Sequence, residues 1–122
     1  MAESRLKTVE KPWGEEVWFA ETDRYAGKLL RIDAGQQLSV QFHERKDETS
    51  YLLSGRLRLL QGPSADALGG REVAAGAAWR NEPGQVHSIE AIEDSVVIEV
   101  SSPEVGDVVR LADRYGRADA EP

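Results

Sequence analysis

A chain of 122 residues, 40% apolar and carrying a formal charge of −7, has enough material for one hydrophobic core and too little for two ordinary domains. The charge argues against nucleic acid or an anionic membrane as general partners, and the absence of cysteine excludes disulfides, thiolate metal sites and a cysteine nucleophile. No apolar run reaches the length of a signal-peptide core or a membrane span, so a cytoplasmic protein is expected.

Residues 1–10 read as an N-terminal extension. Lys11-Pro12-Trp13-Gly14 then forms a turn around Trp13 that leads into a short strand over 15–20. A second strand covers 25–32, with Lys28 and Leu29 on opposite faces, and Asp33-Ala34-Gly35-Gln36 turns the chain. The stretch GQQLSVQFHERKDETSYLLSG, from Gly35 to Gly55, reads as a hairpin. Its first strand places Gln41 and His43 on one face, Glu44-Arg45-Lys46-Asp47 is the turn, and the return strand opens at Glu48. Such a hairpin sets Glu48 beside Gln41 and His43.

Residues 56–60 alternate polar and apolar, as a strand with one wet face does, and 61–70 (QGPSADALGG) reads as a loop without recognisable chemistry. Short strands over 71–74 and 77–80 flank Gly76. Glu82-Pro83-Gly84-Gln85 turns the chain toward His87 and a strand over 88–91. The β-branched run Ser95-Val96-Val97-Ile98-Glu99-Val100 reads as a buried strand, 106–111 as the last one, 112–117 as a final turn and 118–122 as a frayed tail.

No segment keeps a helical period, and strands recur at short, even spacing, which is the pattern of an all-β sandwich or barrel. The expected unit is one domain over 11–117. Closing the sheet would leave a cavity at one mouth, and an exposed strand edge would be covered by a second copy, so a homodimer is expected.

The chemistry concentrates on four residues. Gln41, His43, Glu48 and His87 offer an amide oxygen, two imidazoles and a carboxylate, and they include both histidines of the chain. This N/O donor set suits one divalent ion, and Zn²⁺, Mn²⁺, Co²⁺, Ni²⁺ and Fe²⁺ all accept it. Four protein ligands on an octahedral ion leave two positions for water or substrate. From Arg24 to Arg58 there are seven Lys/Arg against four Asp/Glu, so the donors lie in the basic part of an acidic chain. That local charge suits a small anionic partner such as a sugar or sugar phosphate, although such charges also keep strand edges from pairing.

The spacing Gly35-x5-Gln41-x-His43-x4-Glu48-x6-Gly55, followed by Pro83-Gly84-x2-His87, resembles the two motifs of the cupin superfamily. Gln41 in place of a first histidine is similar to the phosphomannose isomerases. Lys11-Pro12-Trp13-Gly14, Leu38-Ser39-x-Gln41-x-His43, Ser54-Gly55 and Asp107-x-Val109-Arg110-x-x-Asp113-x-Tyr115-Gly116-Arg117 narrow the likeness. They resemble the C-terminal isomerase domain of the type II phosphomannose isomerase / mannose-1-phosphate guanylyltransferases, over Lys11 to Arg117.

The resemblance implies a cupin-type jelly-roll β-barrel that holds one metal ion at Gln41, His43, Glu48 and His87. It implies an aldose–ketose isomerase working through a metal-stabilised enediol, with a mannose-6-phosphate-like substrate. Lys46 corresponds to a lysine or arginine of that family and is the expected proton-transfer base, its neutral form favoured by a nearby cation. Phosphate would be held by Arg110 first, then Lys28 and Arg117, the last also suited to a salt bridge with Asp113. Trp13, Trp18 and Trp79 suit sugar stacking, or a core or dimer interface.

This sequence departs from the family in two respects. The guanylyltransferase domain is absent from it, so that activity is not carried over. Glu44-Arg45-Lys46-Asp47 and Thr49-Ser50 stand where the family has histidine-rich and aromatic residues at the mouth, which leaves room for other readings. One is a non-catalytic metal- or sugar-binding cupin. Another is a cupin oxygenase on a small organic substrate, which Gln41 disfavours.

Overall fold

The computed structural model describes residues 6–118. Apart from Ala118, the tail expected over 118–122 lies outside the described residues, as do the first five residues of the expected extension. Among the described residues every regular element is a strand: β1 (Lys7–Lys11), β2 (Gly14–Glu21), β3 (Ala26–Ile32), β4 (Val40–Phe42), β5 (Glu48–Ser54) and β6 (Arg56–Gly62). They are followed by β7 (Gly69–Ala74), β8 (Ala78–Asn81), β9 (Val86–Ala91), β10 (Ser95–Ser101) and β11 (Val109–Ala112). One sheet runs β1-β2-β3-β10-β5-β8 and the other β11-β4-β9-β6-β7, antiparallel throughout. The result is an all-β jelly roll whose two sheets enclose the interior between their inner faces.

Period-two alternation decides which side chains enter that interior. Lys28, Leu30 and Ile32 are buried from β3; Glu48, Ser50 and Leu52 from β5; Trp79 and Asn81 from β8; His87, Ile89 and Ala91 from β9; Ser95, Val97 and Glu99 from β10. Cross-strand register lines these sets up, with Val97 opposite Leu30 and Leu52, and Glu99 opposite Lys28 and Ser50. The interior is thus divided along its length. Leu30, Ile32, Leu52, Leu57, Leu59, Trp79, Ile89, Ala91 and Val97 form one apolar cluster with Trp13, and each large member contributes about 1.5–3 kcal/mol by leaving water. The other end collects Lys28, His43, Lys46, Glu48, Asn81, His87 and Glu99, all buried.

Three expectations change. Residues 7–10 are no extension: β1 pairs with β2 from Lys7↔Trp18 to Lys11↔Gly14, and Trp13 at the turn is buried. The hairpin over 35–55 does not form, because β4 pairs with β9 and β11 in one sheet while β5 pairs with β10 and β8 in the other. Residues 43–47 therefore cross between sheets. The loop over 61–70 shrinks to 63–68, since β6 and β7 continue to Gln61↔Gly69. Gly55 makes another of the sheet-to-sheet crossings, between β5 and β6, at φ 98°, where a Cβ would lie 2.3 Å from Ser95 Oγ.

Candidate metal centre

His43, Glu48 and His87 reach one point from three different places in the fold. Glu48 opens β5, and His87 lies on β9 opposite Gln41 of β4 and Gln61 of β6. His43 lies in the crossing segment, where no ladder can hold it. Asp107 does so instead: its carboxylate accepts from the backbone N–H groups of Glu44 (3.1 Å), Arg45 (2.6 Å) and Lys46 (2.9 Å). Those bonds hold the Asp107 carboxyl below the usual carboxylate range, the Arg45 N–H contributing most. Gly84, at φ 84° in the turn before β9, donates its N–H to the carbonyl of His43 at 2.7 Å and ties the two histidine segments together.

Hydrogen bonding fixes the tautomer of each imidazole. His43 Nδ1 lies 2.6 Å from the Asp107 carbonyl and His87 Nδ1 lies 3.0 Å from the Gln85 carbonyl. A carbonyl only accepts, so each Nδ1 carries a proton and each ring turns its Nε2 inward toward Glu48. His43 Nε2 lies 2.8 Å from Glu48 Oε1, and His87 Nε2 lies 3.9 Å from Glu48 Oε2. Both Nε2 atoms and Glu48 Oε1 are buried without a hydrogen-bond partner. A carboxylate and two ring nitrogens gathered this closely in a buried site are donors that a cation would take, and a ring N–H spent on a backbone carbonyl is the usual second layer of a histidine metal site. The donor set therefore fits a divalent ion.

The charges agree with that use. Burial acts to raise the Glu48 pKa, yet contact with His43 and the nearby Lys46 outweigh it and hold the group well below the usual range, so it is the anionic member of the set. Burial pushes His87 down, which keeps its ring neutral. Asn81 Nδ2 donates to Glu48 Oε2 at 3.2 Å, and Gln61 Nε2 donates to Asn81 Oδ1 at 2.8 Å. The stretch expected to carry no chemistry thus supplies an orienting group.

Gln41 lines a small cavity of ≈ 20 Å³ with Glu48, His87, Asn81 and Glu99, and its Oε1 accepts from Ser39 Oγ at 2.9 Å. Gln41 also lines a second cavity, of ≈ 50 Å³, with Lys11, Trp13, Glu16, Arg110 and Arg117. Two of the three expected anion-binding residues therefore meet there, joined by Lys11. Arg117 also makes the bidentate salt bridge to Asp113 at 2.9 and 3.0 Å.

Lys28 does not join them. It is buried, 3.7 Å from Glu16 and 3.9 Å from Glu99, with its ammonium over the Trp18 ring. Lys46 is also buried, 3.3 Å from both Glu48 Oε1 and Glu99 Oε2. Burial acts to lower its pKa, but the charges of Glu99 and Glu48 prevail and raise it. The neutral amine expected at Lys46 is thus an ammonium in this structure, because two carboxylates flank it.

The motif spacing does not point to Glu99 or Asn81, and Asp107 stands in the ending that carries the resemblance without a role assigned to it. A signal for Glu99 exists: it is an acid in phase with the inward-facing Ser95 and Val97 of an otherwise apolar strand.

No family model matches the chain. Over 115 residues it is 34% identical to mannose-1-phosphate guanylyltransferase of Escherichia coli (strain K12), covering 91% of this chain and 23% of that protein. The chain thus spans about a quarter of the length of the curated relatives it matches. Oxalate decarboxylase from Bacillus subtilis superposes with a TM-score of 0.76 at 16% identity, over 98% of this chain and 33% of that one. A protein with a double-stranded β-helix domain from Klebsiella pneumoniae superposes with a TM-score of 0.68 at 19% identity, over 92% of each chain. Among the described residues no helix is long and apolar enough to cross a membrane. The chain has the cupin-type jelly-roll fold, a double-stranded β-helix, and along most of its length it resembles a segment of the mannose-1-phosphate guanylyltransferases.

Proposed function

We propose that this cupin is a metal-dependent isomerase of a small phosphorylated sugar, interconverting an aldose such as mannose 6-phosphate and its ketose through an enediol. The observation that carries the reading is the shared wall of the two cavities: Gln41, with Leu38 and Ser39, lines both the space beside Glu48 and His87 and the basic pocket of Lys11, Arg110 and Arg117. An anionic group and a reacting carbon chain must be held side by side in such a reaction, and these cavities adjoin. The likeness to a guanylyltransferase that handles mannose 1-phosphate supports the choice of sugar.

His43, Glu48 and His87, with Gln41, would hold the ion, which when bound supplies Lewis acidity to a carbonyl or hydroxyl oxygen. The chain's own residues do the rest. Arg110, Arg117 and Lys11 bind the phosphate, Arg117 being oriented by Asp113. Lys46 is the group that carries the proton between C1 and C2. Its Nζ must first give up a proton, and Glu99 Oε2 is an acceptor within 3.3 Å. Burial and the charge of Glu48 push the Glu99 carboxyl up against the pull of the two lysines, which favours that acceptance.

Conversion of mannose 6-phosphate to fructose 6-phosphate, assayed in metal-loaded protein, tests the reading. Turnover that disappears in His87→Ala, with KM raised about 100-fold in Arg110→Ala, is expected. Metal binding without turnover on any hexose or pentose phosphate would refute it.

A further inference from the structure

The polar end of the interior contains a line of alternating charges. Lys11 Nζ is 3.9 Å from Glu16 Oε1, and Lys28 Nζ is 3.7 Å from Glu16 Oε2 and 3.9 Å from Glu99 Oε2. Lys46 Nζ is 3.3 Å from Glu99 Oε2 and 3.3 Å from Glu48 Oε1. The line ends on the carboxylate that faces both imidazoles. One oxygen of Glu99 thus touches two buried ammonium groups, and Glu99 is itself 8% exposed.

We infer that Glu99 is a positioning residue for the metal centre: by sharing the Lys46 ammonium with Glu48, it keeps Glu48 available as a ligand and sets the affinity for the ion. This inference rests on the metal centre described above. It does not require turnover. Lys46 competes with any cation for Glu48 Oε1, since both are drawn to the same lone pairs. While Glu99 is anionic, the ammonium is divided between two equidistant carboxylates. With Glu99 neutralised, Lys46 has Glu48 as its one anionic neighbour in this line, and Lys28 keeps Glu16. Orienting groups of this kind alter metal affinity by about 10–100-fold elsewhere.

The test is a double-mutant cycle on Zn²⁺ affinity, measured by competition with a chromophoric chelator, with circular dichroism as the check on folding. Glu99→Gln is expected to weaken Zn²⁺ binding about tenfold or more, and Lys46→Met to tighten it. In the Lys46→Met background, Glu99→Gln should change the affinity by less than about threefold, because the group that transmits its effect is gone. Equal losses from Glu99→Gln with and without Lys46 would overturn the inference, as would an unchanged affinity in Glu99→Gln. Should Glu99→Gln not fold, Lys46→Met alone decides, and affinity equal to or weaker than wild type overturns the proposal. A wild-type protein that binds no Zn²⁺ or other divalent ion overturns the metal centre itself, a result distinct from an additive cycle.

Discussion

The two ends of the interior are built from the same strands and serve different purposes. Along β3 the inward residues go from Lys28 to Leu30 and Ile32, along β5 from Glu48 and Ser50 to Leu52, along β9 from His87 to Ile89 and Ala91, and along β10 from Glu99 to Val97. At one end the strands present aliphatic side chains that exclude water. At the other the same ladders aim ionisable groups at one another, where burial makes every unmatched charge costly. The lesson is that the β-framework supplies the precision of the site while the apolar end supplies the stability to hold it.

Substitutions should separate the two ends. The largest effect on folding belongs to Leu52→Ala, at a fully buried position of the apolar cluster. Urea denaturation should show a loss of about 2–5 kcal/mol with metal affinity unchanged in the folded protein. A comparable loss of affinity would mean that the ends are not separable.

Asp113→Asn sharpens the comparison at the chain's C-terminal side, where the carboxylate anchors Arg117 beside the basic pocket. A loss of about 1–3 kcal/mol at pH 7 is expected. The hydrogen bonds from Arg117 hold the folded carboxyl below its ordinary value. Its stabilisation is therefore present above the unfolded pKa of about 3.9 and is lost as pH falls through the folded value. Thermal melts of the two proteins should draw together as the pH is lowered past the unfolded pKa of about 3.9 and through the folded value. A gap that widens on acidification would contradict the assignment.

Glu48→Gln should do the reverse of Leu52→Ala. The amide can donate to His43 Nε2, and Lys46 retains Glu99, so metal-free stability should change by about 1 kcal/mol or less while metal affinity falls at least about tenfold. The smallest effect is expected on the outer face. Tyr51→Ser, at an exposed β5 position, should shift the monomer's stability by about 0.5 kcal/mol or less in the same denaturation measurement.

Much of this organisation was legible in the sequence because alternation and turn residues are local signals. The strand character of 25–32, 48–53 and 95–100 follows from alternation or β-branched runs, and the convergence of His43, Glu48 and His87 follows from motif spacing. The reason for that convergence was not legible. Local signals made 35–55 a hairpin, whereas β4 and β5 belong to different sheets and Asp107, some sixty residues on, fixes His43 and the crossing segment. Long-range hydrogen bonds of this kind leave no periodic trace. The same holds for Lys28, which looked like a strand cation available to a ligand and is instead matched to Glu16 and Glu99. Its partners depend on which strands become neighbours.

His43, Glu48 and His87 at the polar end of the interior would together hold one divalent ion. Titration of purified, metal-stripped protein with Zn²⁺ or Mn²⁺, followed by isothermal calorimetry in wild type and His87→Ala, tests it most directly. One ion bound per chain in wild type, with affinity reduced at least about 100-fold in the variant, is the result predicted. Absence of binding in wild type, or equal affinity in the two proteins, would contradict it.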